Sequence, residues 1–151
     1  MRGIVLLSLV GLGTALAGCA THKAPPPAAV VATPASCVDV HFPIYFEEGS
    51  ATVTPEAEKL VVNAQHRASG CTVTRIDVLG LADAPGGPAA NLELSQRRAA
   101  AVAEALGRHG FSTSLIQQEA VGNAGATTDS GARRPLRRRA NVTIHLTPPA
   151  R

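Results

Sequence analysis

Four segments of the chain alternate apolar and polar positions and predict β-strands. The first, "VDVHFPIYF" (38–46), combines β-branched and aromatic residues with polar ones, although Pro43 weakens its middle. The second, "CTVTRIDVLGLA" (71–82), alternates imperfectly, and a third strand is predicted around "LIQQEAV" (115–121). "RANVTIHL" (139–146) alternates cleanly and predicts the last strand.

A first helix is predicted between the first two strands. Thr54 is a good N-cap, Pro55 suits the first helical position, and Glu56 and Glu58 favour the positive end of the helix dipole. Gly70 is expected to end the helix. Five residues at helical spacing form its predicted apolar stripe: Ala57, Leu60, Val61, Ala64 and Ala68.

A second helix is predicted over 91–110, with Asn91 as its N-cap and Gly110 as its stop. The residues expected to face inward are Leu94, Ala101, Val102, Ala105 and Leu106. A segment with the composition of a loop, "GNAGATTDSGARRP", precedes the last strand. The order βαβαββ predicts an α/β fold class, here a compact α+β sandwich with both helices on one face of a small mixed sheet.

The first residues of the chain are typical of an export signal. Arg2 supplies a positive charge, and an apolar run from Ile4 to Ala17 follows that is too short for a comfortable membrane span. The end of this run, "LAGC" (16–19), resembles the bacterial lipobox. That resemblance implies cleavage before Cys19 and lipidation of this cysteine, for example with palmitate. An ordinary signal peptide with a chance cysteine is the alternative.

The chain therefore divides into four parts. Residues 1–18 form the lipoprotein signal peptide, and 19–36 carry the lipidated cysteine and a Pro- and Ala-rich tether that could reach on the order of 50 Å. Residues 37–147 suit one domain, and 148–151 form a C-terminal tail. Ala20, which follows the lipobox in place of Asp, favours the outer membrane over the inner one by resemblance.

Two cysteines remain in the domain, Cys37 and Cys71. In an exported protein an even pair suggests a disulfide, and two buried thiols are the alternative. One cysteine precedes the first strand and the other opens the second. If those strands run parallel and close together, both cysteines lie at the same end of the sheet.

Asp83 and Arg98 are the candidate binding residues. Asn91, Ser95 and Arg98 share one face of the second helix, and that face starts where the loop from Asp83 arrives. A carboxylate and a guanidinium that flank one concavity suit a small zwitterion: Asp83 takes an ammonium and Arg98 a carboxylate. A loop-capping Asp83 and a solvated Arg98 are the alternative.

Three segments resemble the OmpA C-terminal-like peptidoglycan-binding domain: "FEEGSATVTPEAEKL", "GLADAPGGPAANLELSQRRAAAV" and "RRRANVTI". The resemblance covers nearly all of residues 42 to 146. Eight residues match the central motif of that family without a gap: Gly80, Asp83, Gly86, Asn91, Leu94, Ser95, Arg98 and Ala99. Together with the lipobox and the tether, the whole chain is similar to the peptidoglycan-associated lipoproteins.

The resemblance implies that Asp83 and Arg98 grip meso-diaminopimelate of the wall stem peptide, while Asn91 and Ser95 support the loop and helix mouth. Either Arg138 or Arg139 is expected to line the pocket. Glu48 stands where the family often has Asp or Asn.

The chain also departs from the family pattern at two positions before Asp83. Leu81 and Ala82 replace the His or Tyr and the Thr that often precede the Asp, so the ligand could be bound more weakly or a different stem peptide preferred.

Other functional classes fit the sequence poorly. The basic run near the C-terminus and a pI of about 9.1 suit anionic envelope polymers, since an exported lipoprotein does not meet nucleic acid. The five histidines share no metal-ligand spacing, so neither a metal nor a cofactor is expected. No nucleophile motif or converging pair of acids indicates an enzyme.

The sequence thus predicts an outer-membrane lipoprotein whose periplasmic domain binds peptidoglycan noncovalently and tethers the membrane to the wall. Two alternatives stay open. One is an interaction lipoprotein that kept the fold and lost wall binding, and the other is a hydrolase accessory or weak enzyme. Partner proteins in the envelope and the oligomeric state are not predicted.

Overall fold

The computed structural model describes residues 37–83, 86–126 and 137–150. In chain order their elements are β1 (Val40–Tyr45), α1 (Pro55–Ala68), β2 (Thr72–Gly80), α2 (Pro88–Arg108), a 3-10 turn (Thr113–Leu115), β3 (Ile116–Ala120) and β4 (Arg139–Thr147). The predicted signal peptide, Cys19, the predicted tether and most of the predicted loop after β3 lie outside the described residues. The predictions made on them stay predictions.

The strands form one mixed sheet in the order β1-β4-β2-β3. β4 pairs antiparallel with both β1 and β2, and β2 pairs parallel with β3. β1 lies at an edge of the sheet, and this is where a strand tolerates a proline such as Pro43. The predicted order βαβαββ and the small mixed sheet are confirmed.

Both helices pack on the same face of the sheet. Alternate residues of β4 are buried and meet the apolar sides of the helices: Ala140, Val142, Ile144 and Leu146. The same alternation leaves the opposite face of the sheet polar and open. None of the helices in the described part of the chain is long and apolar enough to cross a membrane.

The start of α1 follows the sequence signals. The Thr54 side chain accepts a hydrogen bond from the Ala57 backbone N–H at 3.2 Å, and Pro55 occupies the first turn. Gly70 follows the helix with a φ of 79°, a conformation that glycine adopts without strain. Both predicted ends of α1 are confirmed.

The predicted start of α2 is wrong. The helix begins at Pro88 with Gly87 as its N-cap, and Asn91 lies inside the first turn, where its backbone N–H donates to the Gly87 carbonyl at 3.2 Å. Proline has the fixed φ of a first helical residue and lacks the N–H that would stay unsatisfied there. It therefore starts the helix almost one turn earlier than the Asn side chain would.

Two predicted core positions are also wrong. Leu60 is 42% exposed because it lies at the margin of the buried stripe of α1. Ala101 is only half-buried. The other residues predicted to face inward from the two helices are buried: Ala57, Val61, Ala64, Ala68, Leu94, Val102, Ala105 and Leu106.

Two features of β2 explain the imperfect alternation of its sequence and the close approach of α2. Its pairing with β4 shifts register between Val73 and Arg75, which interrupts the alternation. At its other end, a Cβ on Gly80 would lie 2.0 Å from the Ser95 carbonyl oxygen. Only a glycine lets the backbone of α2 pack this closely against the end of the strand.

The predicted disulfide between Cys37 and Cys71 is present, with the two Cα atoms 5.7 Å apart. β1 and β2 run parallel but are not neighbours, because β4 lies between them. The bond therefore crosses the end of β4 and joins the segment before the edge strand β1 to the residue before the inner strand β2.

We expect Gly80→Ala to lower the free energy of unfolding by about 1–3 kcal/mol, the usual cost of forcing an extra methyl group into a packed site. Gly87→Ser is the matched control, since nothing lies within 4 Å of its Cβ position and serine is a good N-cap. Urea denaturation followed by circular dichroism measures both variants. Equal stability of the two variants would contradict the close packing.

We expect loss of the disulfide, in a Cys37→Ser/Cys71→Ser variant, to lower the free energy of unfolding by roughly 4 kcal/mol. Its sequence separation is 34, and the estimate comes from the entropy of closing a loop of that length in the unfolded chain. Thermal unfolding of the oxidised protein and of the variant tests this. An unchanged melting temperature would show that the bond does not stabilise the domain.

Candidate functional site

Arg98 lies on α2 with its side chain fully buried, at 0% exposure. Its three nitrogens donate to three backbone carbonyls from two other parts of the chain. The Nε–H bonds the Ser50 oxygen at 2.8 Å, Nη1 bonds Leu81 at 2.9 Å and Nη2 bonds Glu47 at 3.2 Å. The guanidinium therefore fastens the loop after β1 to the end of β2.

The ring of Phe46 also contacts the Arg98 guanidinium. The Arg98 guanidinium carbon lies 5.1 Å from the centre of the buried Phe46 ring, within the range of a cation–π interaction. The negative face of the ring helps to stabilise a charge that has lost its water. Residues 46 to 50 thus hold Arg98 both by an aromatic ring and by two carbonyls.

Ser95 and Asn91 are buried and hold neighbouring loops. Ser95 Oγ donates to the Leu92 carbonyl at 2.7 Å and accepts from the Gly122 backbone N–H at 3.0 Å. The Asn91 amide donates to the Gly86 carbonyl at 3.3 Å. Both side chains therefore hold backbone groups at the start of α2 and in the adjacent loops.

The Gly122 loop and the Asp83 loop are joined directly. The Ala82 N–H donates to the Gly122 carbonyl at 2.9 Å. Gly122 has a φ of 55°, and a Cβ there would lie 3.1 Å from the Leu92 backbone nitrogen. The loop at Gly122, the loop at Asp83 and the start of α2 therefore contact one another around Asp83.

Asp83 carries a carboxylate that is largely buried and incompletely bonded. Its side chain is 8% exposed, and Oδ1 has no hydrogen-bond partner within the described residues. Oδ2 lies 4.0 Å from Nε of Arg138, too far for a hydrogen bond. A buried carboxylate oxygen without a donor is costly, and such a group is satisfied when a ligand brings an N–H.

Arg138 is brought to the site and Arg139 is not. Arg138 directly precedes β4, and its Nη1 lies 3.8 Å from Oε2 of Glu48, which is exposed on the loop after β1. Arg139 is the first residue of β4 and lines a groove on the open face of the sheet with His41 and Asn141. Of the two arginines that the sequence left open, Arg138 is the one near Asp83.

The charges at the site act on one another. Burial lowers the pKa of the Arg98 guanidinium, the nearby Asp83 carboxylate raises it, and the positive charge of Arg138 lowers it. A guanidinium starts from so high a pKa that it stays protonated. Two arginines and the carboxylates of Asp83 and Glu48 therefore form a site in which both signs of charge are present.

Other polar clusters lie away from this site. On the open face of the sheet, His145 lies 2.8 Å from Asp39 and 2.9 Å from Asp77. The hydrogen bond to Asp77 and that to Asp39 raise the pKa of His145 against the opposing effects of burial and of Arg75. Among residues 37–83, 86–126 and 137–150, no group of three acids, cysteines or histidines has the geometry of a metal site.

Sequence reasoning missed the contribution of the loop after β1. The carbonyls of Glu47 and Ser50 and the ring of Phe46 are all used by Arg98, which is far from them along the chain. The segment "FEEGS" belongs to the family resemblance, but backbone carbonyls leave no signal in the side-chain pattern.

We expect Arg98→Ala to lower the free energy of unfolding by at least about 3 kcal/mol, because it orphans three backbone acceptors at about 1–3 kcal/mol each. Arg97→Ala is the matched control. Arg97 is exposed and paired with Glu93 one turn away, so its loss costs under about 1 kcal/mol. Chemical denaturation compares them, and equal stabilities would exclude a structural role for Arg98.

Comparison with known proteins identifies related chains. Residues 45–141 match the OmpA family model. The probable lipoprotein YiaD of Escherichia coli strain K12 is 29% identical over 103 residues, which cover 67% of this chain and 47% of YiaD. The chain thus spans about half the length of that relative.

Solved structures share the fold at low sequence identity. The OmpA-like domain of FopA1 from Francisella tularensis superimposes with a TM-score of 0.63 at 19% identity, covering 74% of this chain and 77% of that one. The peptidoglycan-associated lipoprotein of Burkholderia pseudomallei gives 0.56 at 22% identity, over 68% and 88%. The cell wall anchor of the T6SS from Pseudomonas aeruginosa gives 0.55 at 23%, over 72% and 81%.

At these identities the solved structures show a common fold. The family match covers well over half of the chain, and it includes the strand, loop and helix that carry Asp83 and Arg98. The chain belongs to the OmpA family.

Proposed function

We propose that this chain is an outer-membrane lipoprotein whose periplasmic OmpA-like domain binds peptidoglycan noncovalently, through meso-diaminopimelate of the stem peptide. The observation that carries the proposal is the buried Asp83 carboxylate, with one oxygen unsatisfied in the described part of the chain, beside arginines in the frame of an OmpA-family domain. Such a carboxylate suits the ammonium group of an amino-acid ligand.

The relatives support a role at the cell wall. One similar structure is named a peptidoglycan-associated lipoprotein, another a cell wall anchor, and the curated relative a probable lipoprotein. Those names describe other proteins, and the transfer to this chain rests on the shared fold, the family match and the Asp83 site.

The free centre of diaminopimelate carries an ammonium and a carboxylate. In this proposal the Asp83 carboxylate accepts a hydrogen bond from the ammonium group. The arginines near Asp83 face the carboxylate of the ligand. The proposal includes no catalytic step. Each charge-assisted hydrogen bond contributes about 1.5–3 kcal/mol, so a single site binds modestly. A lipid anchor at Cys19 and the 19–36 tether would hold many copies near the wall at an effective concentration of about millimolar.

The two departures before Asp83 leave the backbone contacts of the site in place. Leu81 and Ala82 are both buried, and their backbone groups bond Arg98, Arg139 and Gly122. Apolar side chains at these positions therefore fill the core below Asp83. The alternative, an interaction lipoprotein without wall binding, is distinguished by the sedimentation experiment below.

We expect the detergent-solubilised full-length protein to sediment with purified peptidoglycan and to be released by excess meso-diaminopimelate. Asp83→Asn removes the acceptor charge at nearly constant volume and should weaken binding roughly 10- to 100-fold. Glu104→Gln, which removes an exposed carboxylate elsewhere on α2, should bind like the unchanged protein.

Circular dichroism of each variant confirms folding before its binding is compared. If the folded, unchanged protein stays in the supernatant, wall binding is excluded. The hypothesis of an interaction lipoprotein then replaces the proposed function. If binding occurs but Asp83→Asn sediments equally well, the wall contact lies elsewhere on the domain.

A further inference from the structure

A cluster of charged side chains crosses the open face of the sheet, at the end where the disulfide lies. His145 on β4 is at its centre, and both of its ring nitrogens are at hydrogen-bond distance from a carboxylate. Nδ1 lies 2.8 Å from Oδ2 of Asp39, which directly precedes β1, and Nε2 lies 2.9 Å from Oδ2 of Asp77 on β2. One imidazole ring therefore connects three neighbouring parts of the sheet.

The number of protons on the ring determines how many of these bonds exist. Asp39 is ionised, because the hydrogen bond from the Leu146 backbone N–H, 3.0 Å long, and the contact with His145 lower its pKa. A carboxylate accepts hydrogen bonds and donates none, so each bond needs an N–H on the ring. A neutral imidazole has one N–H and an imidazolium has two. Both bonds are therefore made only when His145 is protonated.

Arg75 on β2 is the partner available to the neutral ring. Its Nη2 lies 3.2 Å from Nε2 of His145, and its Nε lies 3.0 Å from Oδ1 of Asp77. A guanidinium donates hydrogen bonds and accepts none, so it bonds Nε2 only when that nitrogen carries no proton. A protonated Nε2 bonds Asp77 and faces the guanidinium as a second donor. Asp77 and Arg75 are therefore alternative partners of the same ring nitrogen.

The charged and titratable groups that face this part of the sheet come from the segment before β1, from β1 and from β2: Asp39, His41, Arg75 and Asp77. His41 bonds the Thr143 hydroxyl at 3.1 Å. On β3, the neutral Gln117 lies beside Asp77, and Glu119 lies one pair further along the strand. The side chains in contact with the ring of His145 therefore carry two negative charges and one positive charge.

We propose that His145 is a pH-sensitive switch that exchanges its partner on β2. In the protonated state the ring bonds both Asp39 and Asp77, and it ties the start of β1 to β2 across β4. In the neutral state Nδ1 keeps its proton and its bond to Asp39, while Nε2 accepts a hydrogen bond from Arg75.

The switch acts on two features of the domain. Asp39 closely follows Cys37, so the protonated ring adds a second link beside the disulfide between the segment that enters the domain and β2. Arg75 and Asp77 also line a groove of about 490 Å³ on the open face of the sheet. Protonation therefore adds a positive charge beside that groove.

The surroundings of the ring favour its protonated state. The hydrogen bond to Asp77 raises the pKa of His145, and so does Asp39, against the lowering effects of burial and of Arg75. Because the pKa is higher in the folded chain than in the unfolded chain, protonation stabilises the fold. This stabilisation is complete below about pH 6.5, the ordinary pKa of histidine, and is lost as the pH rises through the pKa of the folded state.

Nitrogen-15 NMR of the detergent-solubilised full-length protein, labelled at histidine, measures the proton affinity and the tautomer of His145. We expect His145 to titrate above about pH 6.5, with the proton of the neutral ring on Nδ1. Asp39→Asn and Asp77→Asn should each weaken proton binding at least roughly threefold. Arg75→Met should strengthen it and remove the preference for Nδ1. Glu104→Gln, which removes an exposed carboxylate on α2, is the matched control and should change neither property.

Thermal unfolding tests the effect of the switch on the fold. Between about pH 6 and about pH 9, the melting temperature of the unchanged protein should fall further than that of His145→Gln, by at least about 2 °C. The same variant assigns the NMR signal of His145, because that signal is absent from its spectrum.

Four results would overturn the inference. They are a His145 that titrates at or below about pH 6.5, an unchanged proton affinity in both aspartate variants, a neutral ring protonated on Nε2, and parallel pH profiles of the melting temperature. None of these measurements depends on what Asp83 binds. The switch and the proposed function can therefore fail independently, the first in these titrations and the second in the sedimentation experiment.

Discussion

The buried guanidinium of Arg98 holds together the parts of the chain that form the site. A charge without water is stable only where donors and acceptors match, and here three carbonyls and an aromatic ring surround it. Those partners come from the loop after β1 and from the end of β2. Because one side chain joins both segments to α2, the position of Asp83 depends on it.

A second constraint is the close approach of α2 to the sheet. Gly80 leaves room for the carbonyl of Ser95, and the Ser95 hydroxyl in turn binds the loop at Gly122. The Gly122 carbonyl then binds the backbone next to Asp83. The spacing of glycine, serine and aspartate in the family motif thus has a packing reason in addition to any role in ligand binding.

Sequence reasoning recovered what depends on neighbours along the chain. The cap at Thr54, the alternation of β4 and the disulfide all follow from local pattern or from residue type. It failed where two local signals competed, as at the start of α2, where the fixed φ of Pro88 prevailed over the side chain of Asn91. Sequence reasoning also could not predict which edge of the apolar stripe of a helix is buried, because this depends on the elements that pack against the helix. The exposed Leu60 is an example. The candidate site was found through the motif, yet the burial of Arg98 depends on carbonyls about fifty residues away.

The disulfide determines how the domain would carry mechanical load. The segment that precedes residue 37 joins the sheet at Cys37, which is bonded to Cys71 at the start of β2. Tension applied through that segment has a short covalent path across the sulfurs and along β2 to Gly80 and Asp83. β2 is paired on both sides, whereas β1 is an edge strand that is paired on one side and contains Pro43. A pull between that segment and Asp83 therefore follows the inner strand β2, and the edge strand β1, which would peel more easily, lies outside the line of force.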